Sequence, residues 1–310
     1  FPSADAMVGA LRDYAIVANK SLKYAGAVRQ ARWFNEMLSR DPLMGAFLFS
    51  HWRPVTSQQP SVVHFAPQGS ALAWLSKASL VLRALSGLGE VYRSIQENLL
   101  EGGAGLSRDL DLTTLAESCV SAFVIPSAVV EKNSIMKGLQ AAILHDNRLA
   151  VHTLLQVFRT LLGSCSKFLE SIGNESEVHV ACEAALKAKV LTVLPDMKFL
   201  LAVHVHFRDQ LYAREGKRRA EAEGSDEEMS DRGEESRTTS LELVVLQSLA
   251  CQRKLGEVYT LFGFTWGQDA SKCISDEFPK YGTRHKIMLL EYLRQAADAN
   301  GQVTFSSSWK

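Results

Sequence analysis

The chain has no excess charge of either sign, no long apolar run, no closely spaced cysteines and no assembled catalytic motif. Each absence removes a class of protein. Lysine plus arginine and aspartate plus glutamate number 34 each, so the basic field that draws a domain to nucleic acid is missing, and no nucleic-acid partner is expected. The longest apolar run, Cys119 to Val130, contains Pro126 and falls short of the roughly 20 residues a bilayer-spanning helix needs. No transmembrane helix is expected. The five cysteines (Cys119, Cys165, Cys182, Cys251 and Cys273) include no CxxC pair. An odd, scattered set fits reduced thiols better than a disulfide framework, and with it an intracellular protein, cytoplasmic or nuclear. HExxH and GxSxG are absent. The glycines at 102, 103 and 105 are not followed by the Gly-Lys-Ser/Thr of a phosphate loop. No cofactor is expected. No period of repeat length is visible in the residue identities, so a regular array is not supported.

What is there is helical texture. Apolar residues make up 46% and charged residues 22% of 310, a globular composition in a chain long enough for one large domain or two ordinary ones. The chain starts at Phe1 and stops just after a strand-like piece, Gly301 to Phe305, and is read as a fragment of a longer protein. Val8, Leu11, Ala15, Ala18 and Leu22 recur at three- and four-residue steps, one stripe of an N-terminal helical segment, residues 1–52. Residues 53–69 hold Pro54, Pro60 and Pro67 and read as a loop. The main helical domain is expected at 70–220. It opens with a helix from Ser70 to about Leu100 and continues with helices near 111–124, 127–144, 147–172, 175–194 and 196–220, broken at Pro126, Asp146-Asn147, Gly173 and Pro195. Residues 221–240 are polar and rich in acidic residues, too poor in apolar side chains to offset their ordering entropy, and are expected to be a disordered loop. A C-terminal helical segment, 241–310, follows, with helices near 241–261 and 284–297. The expected fold class is all-α: an irregular multi-helix stack, solenoid-like or a large bundle.

One stretch invites chemistry. Val203 to Asp209, VHVHFRD, resembles the metal-binding strand of the dihydroorotase branch of the amidohydrolase family. There, two histidines at alternate positions of a strand face one way and ligate a metal. The resemblance implies a metal-dependent hydrolase with His204 and His206 as ligands and Arg208 as a substrate contact. Alternate residues of a strand do share a face and can share a zinc ion. The surroundings depart from that pattern. Ala202 stands where an acidic residue belongs, and Gln210-Leu211 where Pro-Gly belongs. Only about 100 residues follow the pair, against the roughly 250 of the barrel that houses such sites. Apolar spacing gives a different answer: Phe199, Leu200, Val203 and Phe207 recur at helical spacing and continue from Met197. On a helix the two imidazoles point about 200° apart and cannot share one ion. The helix is the reading adopted, with His204 and His206 kept as the metal candidates.

Other constellations are weaker. His145 and His152 are seven apart, but a turn at Asp146-Asn147 would separate them. Trp33, Phe34, Phe47, Phe49 and Trp52, interleaved with Arg32, Arg40 and Arg53, read as core lined by arginine stems. Ser225, followed by Asp226-Glu227-Glu228, fits an acidophilic kinase acceptor and is the candidate regulatory residue. By elimination the chain reads as a protein–protein interaction or scaffolding module with other proteins as partners. The rivals are the hydrolase implied by VHVHFRD and a peripheral membrane protein using residues 5–38, whose Lys20, Lys23, Arg29 and Arg32 would face lipid phosphates.

Overall fold

The computed structural model describes residues 112–126, 130, 133–172, 177–222 and 235–263, with scattered helical positions between 74 and 92 and between 286 and 294. The fold is all-α, and among the described residues there is no strand. Among the described residues six helices are continuous: α1 (Leu112–Cys119), α2 (Ser134–Leu144), α3 (Arg148–Ser171), α4 (Glu177–Val193), α5 (Met197–Ala222) and α6 (Glu235–Leu261). The expectations for 1–52, 53–69, residues 5–38, the arginine-interleaved aromatic set and the strand-like tail all lie outside the described residues, as does Ser225.

Local chemistry explains most boundaries. α1 runs on as a wider π-turn, Val120–Val124, closed by the Ile125 N–H donating to the Val120 carbonyl at 2.9 Å. Pro126 then ends it. The helix expected from Ser127 begins instead at Ser134: Val130 is buried but not helical, and Asn133 sits at φ 60°, a left-handed conformation that no right-handed helix interior admits. The break between α2 and α3 falls where expected, with Asp146 left-handed at φ 47° and the Asn147 side chain accepting the Ala150 N–H at 3.0 Å to cap α3. Asp196 caps α5 in the same way, accepting the Phe199 N–H at 2.8 Å. Gly263, at φ 66°, closes α6 after Leu261.

The acidic run is narrower than its composition implied. α5 continues to Ala222 and α6 starts at Glu235, not Leu241. Glutamate and arginine need no burial to sit in a helix, so low apolar content at 221–222 and 235–240 did not exclude one. Residues 223–234 lie outside the described set.

The chain divides into two compact units, Phe1–His145 with Thr160–Leu194, and Asp146–Arg159 with Pro195–Lys310. In the first, α1 packs on α4, and Ala78, Leu85 and Tyr92, seven residues apart, are all buried. The Tyr92 ring meets Phe168 of α3 edge-on, centroids 5.3 Å apart. In the second, α5 packs along α6. Cys251 of α6 donates to the Leu155 carbonyl of α3 at 3.1 Å. Residues 244–249 of α6 are buried without a break, so this stretch is enclosed all round.

Candidate functional site

VHVHFRD is helical, inside α5. The strand that the amidohydrolase resemblance requires is therefore absent, and the two histidines part company. His204 is 2% exposed and faces α6, whereas His206 is exposed, edge-on to Phe207 and accepting from Gln210 Nε2 at 3.0 Å. The buried stripe of α5 is Met197, Leu200, Val203, His204, Phe207, Arg208 and Leu211. Two of its seven members are polar.

Those two are satisfied differently. His204 Nδ1 lies 2.9 Å from Ser248 Oγ, and the Ser248 hydroxyl donates its one hydrogen to the Val245 carbonyl at 2.7 Å. With that proton committed, Ser248 accepts from His204, which fixes the Nδ1–H form of the ring. Arg208, 7% exposed, runs outward, and its Nε and Nη2 donate to Asp209 Oδ1 at 3.0 and 2.7 Å. Its stem is buried and its charge is met by a carboxylate near the surface. One turn before His204, the Leu200 carbonyl accepts from Gln252 Nε2 at 3.4 Å. A step of four along α5 is thus matched by a step of four back along α6, which defines an antiparallel pair with one register. Gln252 Oε1 is buried with no hydrogen-bond partner among the described residues.

The histidine–serine contact resembles a nucleophile and its base, but its polarity is reversed. A serine nucleophile must donate to the imidazole, and this one accepts. Ser248 is also fully enclosed. The seam therefore fixes how two helices pair.

The other sequence candidates are dispersed. His145 is exposed at the end of α2, and His152 is half-buried, with burial lowering its pKa. Among the described residues no group of three or more histidine, cysteine or acidic side chains could hold a metal ion. Cys119, Cys165, Cys182 and Cys251 are buried and form no disulfide. Burial pushes the Cys119 thiol up to about 11, Cys182 up to about 12, and Cys251 higher still against the opposing pull of Arg159. None of these three has the lowered pKa of a reactive thiol.

The first unit has a different feature, missed from the sequence. α4 buries Cys182, Leu186, Val190 and Val193. Its opposite face exposes Val180 at 66% and Leu191 at 58%, with exposed Ala184 and Ala188 between them. The spacing of 180, 184, 188 and 191 was the available signal. Other large apolar side chains at the surface include Leu144, Leu149, Leu243 and Leu261. Among the described residues no single helix is long and apolar enough to cross a membrane. No protein-family model, curated protein or solved structure matches the chain.

Proposed function

We propose that the chain is a protein–protein interaction module, a helical platform that presents apolar helix faces to other proteins. The supporting observation is the outer face of α4, where Val180 and Leu191 stand in solvent on a helix whose other face is already packed. Isolated surface leucines are ordinary, but an aligned apolar face marks a contact surface. Four buried thiols outside any disulfide support an intracellular setting, cytoplasmic or nuclear. Ser225, ahead of Asp226-Glu227-Glu228, is the proposed regulatory position, where a phosphate would add nearly two negative charges.

A photo-crosslinking residue at Leu191, compared with one at exposed Lys198 on α5, tests the interaction reading in cells. Intermolecular crosslinks from position 191 and few from 198 are expected; none from either position would sink it. Phosphopeptide mapping of the cellular protein, with Ser225 found unmodified at full coverage, would remove the regulatory proposal.

A further inference from the structure

We propose that the partner of the α4 outer face is a second copy of this chain, paired helix to antiparallel helix about a two-fold axis. The proposal rests on the interaction reading above and gives that surface an occupant. Val180, Ala184, Ala188 and Leu191 fall within about 80° around the helix and span about 16 Å along it, so they form one straight ridge. Its two large side chains stand at the ends and its two alanines in the middle, which lets a second helix come close at the centre and be gripped at either end.

Charge selects the occupant. The exposed Glu177 and the part-exposed Glu183 lie in the N-terminal half of α4, and the part-exposed Lys187 lies in the C-terminal half on the same flank as Glu183. A parallel copy would set acid beside acid and base beside base. An antiparallel copy that sets Val180 against Leu191 of its mate brings Glu183 to within one residue of the mate's Lys187, and the two-fold axis makes the same contact again. It also opposes the two helix dipoles. A surface that complements itself in this way is what a two-fold dimer interface requires. A polarised helix with an apolar ridge suits a lipid surface less well, since its acidic half would face the headgroups.

The test is sedimentation velocity of the full chain across the micromolar range, with circular dichroism to confirm that each variant is folded. A concentration-dependent dimer is expected. Ala184→Glu, at an exposed helical position, should weaken it about tenfold or more. Glu183→Lys should weaken it too, and adding Lys187→Glu to Glu183→Lys should restore it. A monomer at every concentration overturns the proposal, as does a dimer indifferent to these variants. A monomer that floats with anionic vesicles through Leu191 overturns it in favour of a lipid surface. If the chain is monomeric yet still crosslinks to another protein from position 191, self-association fails and the wider interaction reading survives.

Discussion

α4 and α5 depart from the inside-apolar, outside-polar arrangement in opposite directions. α4, in the first unit, is apolar on both faces and leaves Val180 and Leu191 in solvent; α5, in the second, sets His204 and Arg208 on its buried stripe. The first departure leaves the α4 surface uncovered, because no hydrogen bond or charge pair needs that ridge and water gains nothing from it. The second departure is closed internally, because each buried polar group finds a partner: Ser248 for the imidazole and Asp209 for the guanidinium. The exposed apolar face is where the proposed contact would form, whereas the His204–Ser248 pair favours one register of α5 on α6. Sliding α6 by one turn along α5 would leave the His204 N–H and the Gln252 amide without these acceptors, a penalty a purely apolar seam would not impose.

The sharpest way to break this contrast is to remove packing from α5 itself. Phe207→Ala, at a fully buried ring, should lower unfolding stability by about 3–5 kcal/mol in urea titration. A loss below 1 kcal/mol would mean the seam does not form as described. Ser248→Ala should cost about 1–3 kcal/mol by stranding a buried imidazole N–H. Combining it with His204→Leu should recover most of that loss, because both partners then become apolar. Non-recovery would show that His204 is held mainly by something other than Ser248.

The first unit offers a pH test. The Cys119 and Cys182 thiols titrate near about 11 and about 12 in the fold against an ordinary 9.0. Above pH 9 the unfolded chain sheds these protons while the folded chain keeps them, so stability should fall as pH rises from 9 toward those values. Alanine at both positions should flatten that slope, and an unchanged slope would contradict the burial of these thiols. The smallest effect belongs to the α4 ridge. Leu191→Ser should change monomer stability by no more than about 0.5 kcal/mol, since the side chain contributes little to its own unit; a loss of 2 kcal/mol would mean that it packs within the chain.

Much of the fold was legible in the sequence because breakers did the work. Pro126, Asn147, Asp196 and the glycine after Phe262 ended or capped helices by local chemistry that needs no tertiary contact. Val130 and Asn133 were read as helical because the apolar content around them matched, while a left-handed Asn133 ahead of α2 leaves no mark in apolar spacing. Of the site, the divergence of His204 and His206 followed from helix geometry alone. The seam did not, although the structure sets His204 and Arg208 on the same buried stripe as Met197, Leu200, Val203 and Phe207. Ser248, the partner of His204, and Gln252, which donates to the Leu200 carbonyl, come from a helix 44 and 52 residues away in sequence, and only the packing of α5 on α6 brings them there. The outer ridge of α4 went unseen because a helix with apolar residues on two faces reads as core, and no sequence pattern says which of the two is covered.

The most direct test of the account is the accessibility of the α4 ridge as a function of concentration. Ala184→Cys gives a surface thiol, while Cys119, Cys165, Cys182 and Cys251 are buried and resist alkylation. Maleimide labelling at position 184, read by peptide mass spectrometry, is predicted to be fast in dilute protein and to slow as concentration rises. Equal rates at every concentration, whether fast or blocked, would contradict the claim that this face pairs with a second copy of the chain.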